Sequence, residues 1–469
     1  MSQKLADMTC KLLVLGAGPG GYVCAIKAGQ LGVDTVIVEK AKPGGTCLNV
    51  GCIPSKALIH AADEFHKIVE ASTGDTLLGI RTSTPEIALG ETMDWKDGIV
   101  GRLNSGVSGL LKRAKVRSVD GTARFVDGKT VVVDTAEGEQ VIKAETVVIA
   151  TGSEPVELPF LPFGGDVISS MEALSLQDVP NTLVVVGGGY IGLELGIAYA
   201  KLGAEVSVVE AGGRILPQYD ADLTKPVQKR LQDLGVTVLT GAKAKGLNED
   251  KSGLLVEDAE GETRVIAADK YLVTVGRKPV TENCGLDALV LNMDGPFIQI
   301  DDRCRTTMNG IFAIGDVTGE PMLAHRAMAQ GEMVAELVAG KNALWDKYCI
   351  PAVCFTDPEI VSVGVSPSEA KREGIETKVG MFPFQANGRA MTTEREDGFI
   401  RIVARADTHA VIGVQGVGAN ISELSAGFAL AIEMNACLED IAHTIHAHPT
   451  QSEGVQEAAM KALGSALHV

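Results

Sequence analysis

Cys47 and Cys52 stand five positions apart in the run Gly44-Gly45-Thr46-Cys47-Leu48-Asn49-Val50-Gly51-Cys52-Ile53-Pro54-Ser55-Lys56. A thiol pair can take up and release two electrons by opening and closing a sulfur–sulfur bond, provided the backbone lets the sulfurs meet. Five steps along a regular helix turn the second cysteine about 140° from the first. Five along a strand carry it roughly 16 Å away. A disulfide needs Cα atoms within about 7 Å, so this chemistry requires a bend. Gly51 offers the freedom for one, and Pro54 suits the start of a following helix. Cys349 and Cys354 repeat the spacing in an apolar, strand-like run without a glycine hinge, and are read as structural. Spacing alone therefore does not assign a redox role.

Thiol exchange runs through the thiolate, so a dithiol substrate needs a base. The stretch Ile445-His446-Ala447-His448-Pro449-Thr450-Gln451-Ser452-Glu453 offers histidines in the right intrinsic pKa range and a carboxylate able to orient one of them. His443, His446 and His448 could instead hold a metal, but no cysteine or second acid cluster at ligand spacing completes such a site, and no metal is expected. A merely structural histidine stays open on residue type alone.

The elements that must position these groups announce themselves as an internal repeat. The apolar run Lys11–Leu15 leads into Gly16-Ala17-Gly18-Pro19-Gly20-Gly21, then a helical stretch to Gly32 and a second apolar run ending at Glu39. Thr182–Val186 leads likewise into Gly187-Gly188-Gly189-Tyr190-Ile191-Gly192, a helix to Gly203 and a strand ending at Glu210. Gly16, Gly18, Gly21, Gly32 and Glu39 map without a gap onto Gly187, Gly189, Gly192, Gly203 and Glu210. Each copy reads as a strand–glycine turn–helix–strand unit that places a pyrophosphate at a helix N-terminus and a ribose at the terminal carboxylate. Two dinucleotide sites are expected.

The first copy is accompanied by Val147–Gly152 and by Thr306–Asp316, where a short strand delivers Gly315-Asp316. Together they resemble the second FAD fingerprint of two-dinucleotide flavoproteins. The second copy then takes the nicotinamide cofactor, and Glu210 favours NAD because a carboxylate repels the 2′-phosphate of NADP. Arg214 lies four residues beyond and could blunt that preference.

Composition sets the frame. The net charge of −18 argues against nucleic acid as a partner. No apolar run reaches the ~18–20 residues of a membrane span, and no signal or transit segment is recognisable, so no membrane and a cytoplasmic location are expected. A chain of 469 residues with 54 glycines and 45% hydrophobic residues suits an α/β protein of about three domains. Nine scattered cysteines form no disulfide framework, so any disulfide should be a working one.

Beside the first dinucleotide unit, the Gly44–Lys56 run resembles the active-disulfide signature of the pyridine nucleotide–disulfide oxidoreductases. Leu48, Ile53 and Ser55-Lys56 look most like the branch that oxidises dihydrolipoyl dithiols. The resemblance covers nearly the whole chain, through Gly188–Glu194, Gly315-Asp316, Pro321–His325 and His446–Glu453. It implies an α/β fold with two Rossmann-like dinucleotide-binding domains plus a C-terminal α+β interface (dimerisation) domain. The expected ranges are 1–150 for FAD, 151–279 for NAD, 280–348 completing the FAD domain and 349–469 for the interface. It also implies a redox disulfide between Cys47 and Cys52, with Cys52 nearer the flavin, and His448 as the base with Glu453 as its partner. Lys56 would sit near the flavin ring, paired with Glu194.

The implied FAD contacts are Gly16, Gly18, Gly21, Glu39, Lys40, Gly45, Thr46, Lys56, Ala123, Thr151, Gly152, Ser153, Asp316, Met322, Leu323, Ala324 and His325. Those to NAD are Gly187, Gly189, Tyr190, Ile191, Gly192, Glu194, Glu210, Ala244 and Gly276. The family works as a homodimer in which the base reaches the other subunit's disulfide. Its partner would be the lipoyl domain of a 2-oxoacid dehydrogenase acyltransferase or of a glycine-cleavage carrier. The alternatives are another NAD(P)H-dependent disulfide reductase such as glutathione reductase, against which Glu210, Leu48 and Ser55 speak, or a non-catalytic flavin redox sensor.

Overall fold

In the computed structural model, which describes residues 5–468, the chain begins with β1 (Met8–Leu15), α1 (Pro19–Gln30) and β2 (Thr35–Glu39). Leu12, Leu13, Val14 and Leu15 are all buried, as in parallel strands covered on both faces. Next come α2 (Gly45–Val50), α3 (Cys52–Thr73), α4 (Leu89–Arg113), β3 (Arg117–Asp120), β4 (Thr122–Asp127), β5 (Thr130–Thr135) and β6 (Gly138–Ile149). The sheet order is β3-β2-β1-β6-β5-β4. The late strand Ile311–Ala313 returns to pair in parallel with the end of β6, Ile311 beside Val147.

β6 is longer than the apolar run at Val147–Ile149 suggested, because its first half serves a different partner. Thr130–Thr135 pairs with it antiparallel, and the meander β4-β5-β6 builds a flap that the glycine-turn pattern did not announce.

The second unit repeats the first. After the short β7 (Ser153–Pro155) and β8 (Val167–Ile168) come β9 (Thr182–Val186), α5 (Tyr190–Lys201), β10 (Glu205–Glu210), α6 (Ala221–Asp233) and β11 (Thr237–Thr240). With Lys270–Val273 they form a parallel sheet, β11-β10-β9 followed by that strand and β8. The turn geometry recurs too. Gly16 has φ +99° and Gly187 φ +107°, and a Cβ at either would collide with a carbonyl, Ala150 O at 2.3 Å or Thr274 O at 2.7 Å. β7 pairs antiparallel with Arg277–Pro279, so the chain leaves the first unit and returns to it along one two-stranded hinge.

A five-stranded antiparallel sheet closes the chain. Its strands are Ala352–Cys354, Glu359–Gly364, Val411–Gly418, Phe399–Arg405 and Thr377–Pro383, in that spatial order. The helix Glu453–Leu463 packs on two of them. One apolar cluster joins Leu58 of α3, Leu193 and Tyr199 of α5, and Cys354, Ile360 and Phe399 of this sheet. Helix α3 is thereby held by both neighbours.

Ion pairs reinforce that junction. Asp357 is buried, and its carboxylate meets Lys201 Nζ at 2.6 Å, Arg230 Nε at 3.0 Å and the Arg395 guanidinium, while Lys201 also reaches Asp63 of α3 at 2.5 Å. Burial alone would raise the Asp357 pKa, but Lys201, Arg395 and Arg230 hold it well below the usual carboxylate range. Asp357→Asn leaves Lys201 undercompensated and is expected to cost about 3–5 kcal/mol, read as a lower melting temperature at neutral pH. A depressed carboxylate contributes stability that is present above about pH 4 and lost as pH falls through the folded pKa. The gap between parent and variant should therefore narrow in acid. Equal melting at neutral pH would remove the junction from the stability account.

Candidate functional site

The bend demanded of the cysteine segment is a break between two helices. α2 stops at Val50, Gly51 takes φ −143° and ψ −110°, and α3 restarts at Cys52. A Cβ on Gly51 would lie 2.9 Å from Thr46 O, so the break needs glycine. Pro54 is the third residue of α3 rather than the first; its missing N–H is harmless there because the first turn donates no intrahelical bond.

Both thiols are free, and each shifts the other's titration. The Cys47 thiol donates to the Cys52 sulfur, which lowers the Cys52 pKa to about 7 against the opposing effect of burial, with further help from Lys56. Cys47 moves the other way, raised by the same hydrogen bond and by burial. The N-terminus of a 22-residue helix at Cys52 favours a thiolate as well.

Lys56 lies one turn along α3 from Cys52. Its Nζ meets Glu194 Oε2 of α5 at 2.8 Å. Burial works against the ammonium, but the Glu194 charge and hydrogen bond outweigh it, and the Lys56 pKa is raised. Glu194 is itself buried, so this carboxylate from the second unit reaches the first unit's cysteine helix.

These groups stand on the wall of a cavity of about 1170 Å³. Of the residues singled out from sequence, Gly16, Gly18, Glu39, Lys40, Gly45, Thr46, Cys47, Cys52, Lys56, Ala123, Thr151, Gly152, Ser153, Tyr190, Ile191, Glu194, Asp316, Met322 and Ala324 line it. Gly21, Leu323 and His325 do not. Gly21 sits where a Cβ would strike Gly16 O at 1.9 Å, Leu323 caps the helix Ala324–Val338, and His325 Nε2 is engaged 2.8 Å from Pro351 O. Gly187, Gly189, Gly192, Glu210, Ala244 and Gly276 also lie off this cavity, on the second unit. Ala244 packs against that unit's apolar cluster, and Gly276 O accepts from Val156 N.

The second glycines test the fit to dinucleotides. A Cβ on Gly18 would meet only Gly45 Cα, at 3.9 Å, and one on Gly189 would meet nothing within 4 Å. Space is kept clear at both helix N-termini, where a pyrophosphate would lie. The terminal carboxylates match as well. Glu39 accepts from Ala17 N (2.7 Å) and Ala41 N (2.9 Å), and Glu210 from Gly188 N (2.6 Å) and Gly212 N (2.5 Å). Arg214 turns away from this place, bonding Tyr219 O at 2.6 Å and Pro217 O at 2.5 Å, so it does not blunt the Glu210 charge. NADH should accordingly give a higher kcat/KM than NADPH, and Glu210→Ala should narrow the difference; a parent enzyme faster with NADPH would overturn the assignment.

Some contributors carried no local signal. Asn104, midway along α4, donates to Pro43 O (2.5 Å) and Asn49 Oδ1 (2.8 Å), and Asn49 donates to Gly45 O (2.9 Å), bracing the loop before the cysteines. Arg277 Nε donates to Ser153 Oγ (2.8 Å), which donates to Asp316 Oδ2 (2.5 Å). Only the position of Arg277 next to Gly276 could have flagged it.

His448 is elsewhere. Its Nδ1 lies 2.8 Å from Glu453 Oε1, and Glu453 Oε2 accepts from Thr450 N at 2.8 Å. Burial opposes the Glu453 charge and is the largest single influence, but these hydrogen bonds and the charges of His448 and His446 together outweigh it and lower the pKa. The His448 side chain is 79% exposed and lines no part of the cavity. The pair is formed, but apart from the cysteines of its own chain. His446 Nδ1 meets Thr444 O at 2.9 Å, and among the described residues no group of His, Cys, Asp or Glu is arranged to hold a metal ion. Nor is any described helix long and apolar enough to cross a membrane.

Residues 10–331 match the family described as pyridine nucleotide-disulphide oxidoreductase, and residues 350–459 match its dimerisation domain. The chain is 58% identical over 459 residues to dihydrolipoyl dehydrogenase of Pseudomonas aeruginosa, covering 98% of each. It is 48% identical over 465 residues to dihydrolipoyl dehydrogenase 2 of Haloarcula marismortui, again covering 98% of each. Among solved structures it is similar to LpdA from Mycobacterium tuberculosis, with a TM-score of 0.87 at 27% identity over 96% of this chain and 99% of that one.

Proposed function

Because the chain belongs to the pyridine nucleotide–disulphide oxidoreductase family, we propose that it oxidises protein-bound dihydrolipoyl groups to the cyclic disulfide, with FAD and NAD as its cofactors. The observation that carries this reading is the Cys47–Cys52 pair, with one sulfur held toward the thiolate by its neighbour and by Lys56, on the wall of the cavity that begins at the first glycine turn. The dihydrolipoyl dehydrogenases at 58% and 48% identity support the substrate class.

In the resting oxidised form Cys47 and Cys52 share a disulfide. His448 takes the proton of one substrate thiol, with Glu453 stabilising the imidazolium. The thiolate attacks Cys47, the cysteine disulfide breaks, and Cys52 departs as a thiolate stabilised by Lys56 and the α3 N-terminus. The second substrate thiol then displaces Cys47 from the mixed disulfide, which closes the substrate ring and leaves two reduced cysteines. FAD, when bound, would supply the acceptor for this electron pair, and NAD the final hydride acceptor. Gly16, Gly18, Glu39, Thr46 and Asp316 would hold FAD, with Lys56 and Glu194 near its ring, and Gly187, Gly189 and Glu210 would hold NAD.

The dimerisation domain supports a homodimer, and the exposure of His448 suits a base lent to the other subunit. In this reading residues 1–150 and 280–348 form the FAD domain, 151–279 the NAD domain and 349–469 the interface. The partner is a lipoyl domain of a 2-oxoacid dehydrogenase acyltransferase or glycine-cleavage carrier, in the cytoplasm.

An anaerobic titration tests the substrate. Dihydrolipoamide should produce the long-wavelength absorbance of a thiolate beside the flavin, and reduced glutathione should not. The reverse pattern would replace the lipoyl assignment with a glutathione-type reductase. Protein that takes up no flavin would end the reading altogether.

A further inference from the structure

The Lys56–Glu194 pair has a third member outside the cavity. Phe355 follows directly on the strand Ala352–Cys354 of the antiparallel sheet. Its backbone N–H donates to Glu194 Oε1 at 2.9 Å, and its ring lies against the Lys56 ammonium, with Nζ 4.4 Å from the centroid. An ammonium within about 6 Å of a ring centroid is attracted by the ring's negative face. One oxygen of Glu194 is thus taken by Phe355 and the other by Lys56, which leaves the buried carboxylate a single orientation. The ring covers a side of the ammonium that water would otherwise reach, and charge interactions strengthen where water is excluded.

The strand that carries Phe355 has little freedom. Pro351 O meets His325 Nε2 at 2.8 Å, Cys354 is fully buried with its sulfur 3.6 Å from Thr356 Oγ1, Thr356 donates to Pro358 O at 2.8 Å, and Asp357 is fixed among its three cations. Phe355 lines no part of the cavity on whose wall the cysteines stand.

We infer that Phe355 is a positioning residue: its N–H and ring face hold Lys56 and Glu194 in the arrangement that stabilises a thiolate at Cys52, so that the C-terminal sheet sets the electrostatics of the cysteine pair. This inference rests on the redox reading of Cys47 and Cys52. The ionisable groups around Lys56 are Cys52 on its own helix, Glu194 on α5, Cys354 on the strand before Phe355, and, through Cys52, Cys47 on α2. Phe355 is bonded to Cys354 and holds Lys56 and Glu194 directly.

The test uses prereduced, flavin-loaded enzyme scanned anaerobically across pH for the long-wavelength thiolate–flavin absorbance. Phe355→Leu removes the ring face, lets water reach the ammonium and should raise the midpoint of that absorbance by about half a pH unit or more. Phe355→Tyr keeps the ring and the N–H and should titrate like the parent. If the leucine variant loses flavin, Phe355→Met, whose flexible chain fills the space differently, takes its place and should show the same raised midpoint. A parent-like midpoint in a flavin-loaded leucine or methionine variant overturns the inference. So does loss of flavin from both, since the residue would then serve packing alone. A parent enzyme with no such absorbance at any pH instead overturns the functional reading beneath it.

Discussion

Cys47→Ser and Cys52→Ser each reduce dihydrolipoamide oxidation by about a thousandfold or more, with FAD still bound. Neither serine can accept electrons by closing a sulfur–sulfur bond, so the loss falls on the chemical step rather than on substrate affinity. The two variants should differ in colour. A serine at position 47 still offers a hydroxyl to donate to Cys52, whose thiolate keeps Lys56 and the α3 N-terminus beside it. The long-wavelength absorbance should therefore persist without reduction in Cys47→Ser and be absent in Cys52→Ser. Near-normal turnover by either variant removes that sulfur from the mechanism, and the opposite colours would exchange the roles of the two cysteines.

His448→Gln should lower turnover by about a hundredfold to ten-thousandfold, with folding and flavin content intact. The residue is exposed and its one strong partner is Glu453, so its loss leaves no buried group unsatisfied. Glu453→Gln should cost less, since it leaves the imidazole in place but stabilises its charged form less. Because His448 lies off the cavity of its own chain, a mixture of Cys47→Ser and His448→Gln subunits can rebuild one intact site per mixed dimer. Random re-assortment then restores about a quarter of parental activity. No recovery from demonstrably mixed dimers would place the base in the same chain as the disulfide it serves.

Several features of the site were legible because they are local. Both glycine turns, with their strands, helices and terminal glutamates, follow from hydrophobic runs and glycine spacing, and β1, α1, β2 and their repeats β9, α5, β10 lie where those patterns put them. The need for a bend between Cys47 and Cys52 came from helix and strand geometry alone. Pro54, by contrast, was expected to open the helix and instead stands third in it. A single missing N–H is tolerated anywhere in a first turn, so the proline could not fix the boundary. The meander β4-β5-β6 carries no glycine-turn signature; β5 is a short apolar run with Val131, Val132 and Val133 all buried, which by itself does not reveal an antiparallel partner.

Residue type and spacing within short stretches set the two dinucleotide units and the need for a bend between Cys47 and Cys52, while the redox role of that pair and the role of His448 with Glu453 came from the family resemblance. Which distant groups act on that chemistry follows from packing between elements. Glu194 meets Lys56, Phe355 supports both, Asn104 braces the loop through Asn49, and Arg277 reaches Asp316 through Ser153. Such pairings depend on how separate elements pack together, and no periodicity along the chain encodes the distance between residues 55 to 163 positions apart.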